Sequence, residues 1–563
     1  MFIENKGPKP DGGPRKPKLP TLFQSRLRRY LVEDVPVRVE ACDGRSARRQ
    51  FVHGSAHFDT ISSNMSSETA KVTRKTFLSS GLAVGATPAV SFAQRQTRPK
   101  NVLFLISDQH APLKCGYMGD PMARTPNIDS LARTGTRFTN TYCTNPVCTP
   151  SRASILTGRY THNHRTWNNG TPWPFEIKTM AHAFSGAGYF SSLIGKMHFV
   201  DAQTHGFDYR LDFNDWFQYL GPKSKLYADE LAQANSGSGN PQIDDLWRDY
   251  GDPWKNVRQK DDRKGFVHVG RASLLEEKDH FENFVARESV RFLKNHGKQQ
   301  PFFLISSFLK PHDPFMPGSR FANMYDAPRM PMPKTWNQQD FSMVPKETRD
   351  RMEFNRPTPE IKEDAMARQR IAMYYANLAH MDDTLGQVLA ALKELDLEKD
   401  TIVIYSSDHG EMLGEHNLWQ KFVFYDPSAG VPMIVRVPGM TQENAQCQTA
   451  VSQTQIFATL CELCGISAPG GLDGASMVPL LRTPEKTKLP RVYSEFALHS
   501  KNAKYMIREG DWKYNHYIND TPELYNMKDD PDELKNLAGG MKGKMDEMRG
   551  KLFDWHRPEA SAG

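Results

Sequence analysis

Cysteine is scarce in this chain: seven are spread over 563 residues, too few and too irregular to form the disulfide framework of a small secreted scaffold. The one CxxC, Cys461 and Cys464 in "TQIFATLCELCG", has no second pair and no histidine partner. It lies in an apolar run closed by Gly465, which reads as a buried helix face rather than a metal or redox motif. Long apolar runs are missing as well, and no segment offers the ~20 residues that a comfortable membrane span needs. Nucleic-acid-binding motifs are absent. Much of the formal charge of +7 belongs to the first part of the chain, in "GPRKPKLP" and "SRLRRYLVEDVPVRVEACDGRSARRQ", so a basic leader explains it better than a nucleic-acid surface. What the chain does have is 38% hydrophobic and 10% aromatic content, enough for a large core in more than one domain, or in one domain with a substantial appendage.

Residues 1–64 are rich in Pro, Gly and basic side chains and poor in periodic apolar pattern. They read as a disordered leader or as a start site assigned too far upstream. At Met65 a different pattern begins. Lys71, Arg74 and Lys75 form a basic front, Phe77 to Val90 is mainly apolar and small, and Ser91-Phe92-Ala93 resembles a cleavage site. Residues 65–94 therefore have the form of an export signal, and "TRKTFL" resembles the twin-arginine motif with Lys75 in place of the second arginine. The expectation is a mature chain beginning near Gln94 and lying outside the cytoplasm, in the periplasm or beyond.

From residue 100 the chain alternates between two patterns. "NVLFLISDQH" carries an unbroken apolar run of strand length, as in a strand buried on both faces of a parallel sheet, and it ends in Asp108. "YFSSLIGKMHF", "PFFLISSFLKPHDPF" and "TIVIYSSDHGE" repeat the form and end near Lys196 and His198, at His312, and at Asp408 and His409. Between them lie helical patterns, among them "TPNIDSLARTG", "KTMAHAFSGAG" and "RIAMYYANLAHMDDTLGQVLAALKEL". The alternation predicts an α/β fold with a mostly parallel sheet between helices. Ligands gather at the carboxyl ends of such strands, so these four sets of residues point toward one site.

Cys148 belongs to that picture. In "CTPSRASILTG", Thr149 and Pro150 suit an N-cap and first helical position, and Gly158 suits the helix end. Cys148 then lies at the positive end of a helix, where an anion is favoured, and Arg152 one turn on adds a permanent charge. A structural buried cysteine is the alternative reading of the pentapeptide by itself.

The surrounding motifs extend the pattern. Cys148-Thr149-Pro150-Ser151-Arg152 followed by "ASILTGRY" resembles the signature of the formylglycine-dependent sulfatases of the alkaline phosphatase superfamily. The resemblance continues through "NVLFLISDQH", "TPNIDSLARTGTRFTNTYC", "IGKMHF", "PHDPF", "SSDHGEMLGEH" and "VPMIVRVPG" to "ELYNMKDDPDELKNLA", over roughly residues 100–540. It implies an alkaline phosphatase-like catalytic domain over 98–440 with an insertion around 210–280, and a smaller C-terminal α+β subdomain and tail over 441–563. It further implies that a separate maturation enzyme oxidises Cys148 to formylglycine, whose hydrated aldehyde attacks the sulfur of a sulfate ester. A plain serine or cysteine there would lack the second hydroxyl that lets the sulfated residue release its product.

By the same resemblance Asp108, Gln109, Asp408, His409 and residue 148 hold the metal, while Lys196, His198, His312 and Lys421 hold sulfate oxygens and serve the leaving group. His312 has a second possible task, removing the proton of the second hydroxyl. Two positions depart from the commonest pattern, Gln109 for an Asp and His409 for an Asn. Calcium is the metal implied; manganese or another divalent ion is the alternative, since imidazole suits transition metals, and His409 could also turn away and only orient its neighbours. Rival functions are a phosphonate or phosphate ester hydrolase on the same fold, and a sulfated-glycan binder whose residue 148 stays unoxidised. "GKMHFVDAQTHGFDYR" leans toward choline sulfatases over classical arylsulfatases, and the substrate is open between a sulfated sugar and a small alkyl or aryl sulfate. Trp216, Trp247, Tyr250 and Trp254, among charged residues of the insertion, read either as a substrate wall or as cover for a local core.

Overall fold

The computed structural model describes residues 101–199, 203–234, 270–337, 341–354, 363–484 and 491–558, all within one compact unit spanning Gln96–Gly563. The expected leader, export signal, Trp247, Tyr250 and Trp254 lie outside the described residues.

Nine strands build the main sheet: β1 (Asn101–Asp108), β2 (Thr136–Tyr142), β3 (Phe190–Gly195), β4 (Tyr209–Leu211), β5 (Phe302–Pro311), β6 (Thr401–Ser407), β7 (Gly430–Arg436), β8 (Gln446–Cys447) and β9 (Val451–Ser452). Their order is β4-β3-β5-β1-β6-β7-β2-β8, with β9 also on β2. The four apolar runs singled out in the sequence are the contiguous centre of this sheet, β3-β5-β1-β6, and they pair in parallel. Among the described strands of this sheet only β7 runs against its neighbours. A mostly parallel sheet flanked by helices is thus what the alternating pattern forms.

β1 shows why its sequence has no polar face. Leu103 and Leu105 enter one apolar cluster with Phe284, Ala372, Leu378 and Met381 of the helices Phe281–His296 and Glu363–Glu394. Val102, Phe104 and Ile106 point the other way, into a cluster with Ile155 and Leu156 of the helix Cys148–Thr157 and with Phe457. Burying both faces removes the alternation that a one-sided strand would show. Cys461 is buried and Cys464 partly so, on the helix Gln455–Cys464 that Gly465 ends in left-handed conformation. Trp216 is also core: it is 1% exposed, donates from Nε1 to the carbonyl of Asp279 at 2.8 Å, and packs on Phe281 and Tyr227. Trp216 thus covers a local core.

A second sheet, antiparallel, follows in chain order: β10 (Val492–Phe496), β11 (Lys504–Glu509), β12 (Trp512–Tyr517) and β13 (Glu523–Asn526). The helix Lys542–Trp555 lays Met548 and Leu552 against Tyr505, Ile507 and Tyr514. Ion pairs tie the two sheets: buried Lys513 of β12 places Nζ 2.6 Å from Oδ1 of the partly buried Asp426 and 2.8 Å from Glu533 Oε1, and the Tyr142 hydroxyl at the end of β2 donates to Asp426 at 2.9 Å. Among the described residues no helix is long and apolar enough to cross a membrane.

Candidate active site

Parallel strands deliver their carboxyl ends to one edge of the sheet. β1 hands over Asp108 and Gln109, β6 hands over Asp408 and His409, β3 leads into Lys196 and His198, and β5 into His312. Asp108, Gln109, Asp408 and His409 are fully buried. Gln109 holds a left-handed backbone (φ 66°), an uncommon conformation for a side-chain-bearing residue and one that recurs at functional sites.

The two buried carboxylates share one cation. Arg152, itself fully buried, donates from Nη2 to Asp108 Oδ2 at 2.9 Å and from Nε to Asp408 Oδ2 at 2.7 Å. Its Nη1 is turned to Ser307 Oγ at 2.9 Å and to the carbonyl of Lys196. The guanidinium therefore braces three strand ends instead of standing open to an anion at the helix end. Lys196 Nζ adds a second cation, 2.5 Å from Asp108 Oδ2. Burial and Cys148 push the Asp108 carboxyl up, but Lys196, His312 and Arg152 together hold it well below the usual carboxylate range.

The helix that carries Cys148 begins at Cys148 itself, with Val147 rather than Thr149 in the cap position and Pro150 inside the first turn. An early i→i−4 bond, Ser151 N–H to the Val147 carbonyl at 3.1 Å, sets that start. The Thr149 amide is satisfied from a distance by Asn169 Oδ1 at 3.0 Å. Gly158 ends the helix at φ 65° as expected. Cys148 Sγ then lies 3.2 Å from His409 Nε2, 3.6 Å from Lys421 Nζ and 3.9 Å from Asp108 Oδ1. Burial raises the thiol pKa, yet Lys421, Lys196, His409 and a hydrogen bond with His198 bring it well below its ordinary value.

Tautomers follow from partners. The Gly410 carbonyl, 2.9 Å from His409 Nδ1, can only accept, so Nδ1 bears a hydrogen and Nε2 is the nitrogen that faces Cys148. His409 points into the cluster, not away from it. Gln109 is oriented the same way: its amide donates to Glu411 Oε2 at 2.6 Å, and its oxygen accepts from Lys421 Nζ at 2.6 Å. His312 lies 2.9 Å from Lys421 Nζ through Nε2 and is held through Nδ1 by the Asp313 carbonyl. Burial and Lys421 lower its pKa, but Asp313 and Asp108 outweigh them and leave it raised. His198 is nearly buried, which lowers its pKa although the contact with Cys148 opposes the change; its Nδ1 has no hydrogen-bond partner among the described residues.

The structure thus brings all ten sequence-selected residues together. One ligand atom each from Asp108, Cys148, Asp408 and His409 lies within 4.8 Å of the others, and two carboxylates, an imidazole nitrogen and the amide oxygen of Gln109 fit a divalent cation. Glu411 and Asp313 were not selected. Glu411 sits in the quoted "SSDHGEMLGEH", but its link to Gln109 spans 302 residues, a relation that no local spacing expresses.

The sulfatase family model matches residues 100–466, the stretch that holds every one of these side chains. The chain belongs to the sulfatase family. A second model, the C-terminal region of N-sulphoglucosamine sulphohydrolase, matches residues 414–555 of this sulfatase. It is 30% identical to a choline-sulfatase of Rhizobium meliloti over 468 residues, 80% of this chain and 85% of the relative. It is 29% identical to an arylsulfatase of Clostridium perfringens over 467 residues, 80% and 92% of the two chains. The solved phosphonate monoester hydrolase of Agrobacterium radiobacter superposes with a TM-score of 0.65 at 25% identity, covering 81% of this chain and 95% of that one. The alkaline phosphatase-like fold and the family make this sulfatase a sulfuric ester hydrolase, which cleaves an organic sulfate ester to alcohol and inorganic sulfate.

Proposed function

We propose that this sulfatase acts through formylglycine made from Cys148 by a separate maturation enzyme, with one divalent cation, calcium first, held by Asp108, Gln109, Asp408, His409 and residue 148. The observation that carries the reading is the position of Cys148 Sγ among His409 Nε2, the Lys421 ammonium and the Asp108 carboxylate. A thiol has no internal route for releasing sulfate, whereas a hydrated aldehyde supplies one hydroxyl as nucleophile and another as the exit. A bound cation would withdraw charge from the sulfate oxygens and make a hydroxyl of residue 148 easier to ionise.

The chain's own groups divide the remaining work. Lys196 and Lys421 flank residue 148 and offer ammonium donors to sulfate oxygens. The buried, unpartnered Nδ1 of His198 is suited to the ester oxygen, which needs a proton as the alcohol leaves. His312 and Lys421, 2.9 Å apart, can pass a single proton between them, so His312 is the group we assign to the second hydroxyl.

For the alcohol we propose a sulfated sugar or a small alkyl or aryl sulfate, supported by relatives named for choline sulfate and aryl sulfates and by the sulphohydrolase match in the C-terminal part. The phosphonate monoester hydrolase likeness supports a second activity on monoanionic phosphonate esters, testable by the ratio of kcat/KM on matched aryl sulfate and phosphonate esters. We also propose export through residues 65–94, with N-terminal sequencing expected to find a start near Gln94 and an intact leader counting against it.

The decisive experiment is mass spectrometry of the peptide spanning residue 148 alongside turnover of a chromogenic aryl sulfate, with and without a co-expressed maturation enzyme. Conversion of the thiol to an aldehyde should track multiple-turnover activity. Full turnover by protein whose residue 148 is wholly cysteine would overturn the proposal.

A further inference from the structure

The loop that carries His312 is held from behind by two side chains that take no part in the site described above. β5 ends at Pro311, opposite Asp108 of β1, so His312, the next residue, is placed by whatever fixes the last residues of that strand. Glu282, in the first turn of the helix Phe281–His296, is fully buried. Its Oε1 accepts the backbone amide of Lys310 at 3.0 Å, and its Oε2 stands 3.2 Å from Nζ of Lys310, itself buried. Asn377, on the helix Glu363–Glu394, directs its amide nitrogen at two consecutive carbonyls, 3.5 Å from that of Pro311 and 3.4 Å from that of His312. One turn earlier on the same helix, the Tyr374 hydroxyl donates to the Gln109 carbonyl and accepts the Ala111 amide, each at 2.9 Å. One helix therefore registers the ends of β1 and β5 against each other, and Glu282 fixes β5 from another.

We propose that Glu282 and Asn377 are positioning residues that aim His312 at residue 148, which rests on the assignment of His312 to the second hydroxyl. In that step the hydroxyl gives its proton to His312, and its oxygen–hydrogen electron pair becomes the second bond of the aldehyde carbonyl. The carbon–oxygen bond to sulfate breaks, and its electron pair leaves on sulfate. The transfer needs His312 within hydrogen-bond reach of the hydroxyl. The His312 side chain is 20% exposed on the side of the site, so the backbone behind it has to supply the precision. Asn377 bears a cost for this. It is fully buried and its Oδ1 has no hydrogen-bond partner among the described residues, a desolvation penalty that a leucine of similar size would avoid. A buried ion pair such as Glu282–Lys310 is often no more stable than an apolar pair of the same volume, so stability does not account for it either.

The test follows the first and later turnovers of a chromogenic aryl sulfate by the matured enzyme. Asn377→Leu removes the donor to both carbonyls. Glu282→Leu with Lys310→Met removes the clamp and both charges together, while Glu282→Gln with Lys310→Met keeps an oxygen for the amide of residue 310. Release of the first equivalent of aryl alcohol should keep its wild-type rate in all three. Steady-state kcat should fall about 100-fold in the first two, the effect of misplacing a catalytic group by about 1 Å, and leave a burst of one alcohol per chain; the Gln–Met variant should turn over like wild type. Crystals of unmatured Asn377→Leu should show His312 Nε2 withdrawn from Lys421 Nζ, 2.9 Å away in wild type. His312→Ala is the control: a burst there with none in Asn377→Leu would overturn the inference alone, and no burst there would overturn the assignment beneath it. Equal loss of first and later turnovers in Asn377→Leu would show a merely structural role and would also overturn it, and this comparison stands even where the Leu–Met variant fails to fold.

Discussion

Glu411 divides its two oxygens between two tasks. Oε2 takes the Gln109 amide, while Oε1 accepts the backbone amides of Leu413 and Gln420 at 2.9 and 2.6 Å. The first contact presents the Gln109 oxygen to Lys421, and the second fixes the turn that precedes Lys421 itself. Glu411→Gln could donate where Glu411 accepts, so the Gln109 amide would flip and turn its nitrogen toward the cation site. Metal affinity should fall about 10–100-fold, the usual effect of losing an outer partner of a ligand, with partial recovery in Glu411→Asp. Calorimetric metal titration checks this, and unchanged affinity in Glu411→Gln would refute it. At this scale Asp108, His312 and Asp408 were readable because each ends a recognisable run, and Cys148 because it opens the CTPSR motif and its helix. Arg152 was readable as a charge but not as a brace, because its partners Asp108, Asp408 and Ser307 come from three other segments.

Strand ends are steered by backbone as much as by side chains. Gly195 closes β3 with φ 111°, and a Cβ built there would lie 1.9 Å from the Ser307 carbonyl oxygen of β5, the neighbour that pairs with it in the sheet. Only glycine permits that approach, and the next residue is Lys196. Gly188 is a useful contrast, with φ 86° but nothing within 4 Å of its Cβ position. Gly188→Ala should cost about 1–2 kcal/mol for the left-handed backbone alone, while Gly195→Ala should cost more than about 4 kcal/mol and lose activity with it. Denaturant unfolding of the two variants compares these directly; equal losses would mean that the contact with Ser307 is relieved without consequence. The elements themselves were readable in proportion to their burial. β1, β3, β5 and β6 each carry a buried apolar run, whereas β8 and β9 are two residues each and leave no periodic trace.

Across the whole molecule, the small sheet is where sequence pattern says least, because its strands bury charges instead of hiding them at the surface. The motif resemblance implied a C-terminal α+β part, but nothing in "KYMIRE" marks Lys504 as fully buried. Its Nζ lies 3.7 Å from Glu347 Oε2 and 4.9 Å from the centre of the Phe496 ring. Burial is the largest influence on it, with Arg351 acting the same way and Glu347 and Glu523 opposing, and the ammonium pKa falls from 10.5 to about 8. A base whose pKa falls on folding gives up its proton on folding at any pH between the two values. The unfolded chain then binds more protons, so this residue's contribution to stability rises as the pH climbs from about 8 toward 10.5. Below that window both states are charged and the whole penalty, on the order of 3 kcal/mol, is present. Lys504→Met removes the charge and keeps an unbranched apolar stem; Glu347, whose side chain is 35% exposed, remains solvated without its partner. The variant should therefore be more stable than wild type at pH 7, and the difference should narrow as the pH approaches 10. Urea unfolding of both proteins across that range decides the matter: a variant less stable at pH 7, or a gap independent of pH, would show that Glu347 and the Phe496 ring fully compensate the buried ammonium.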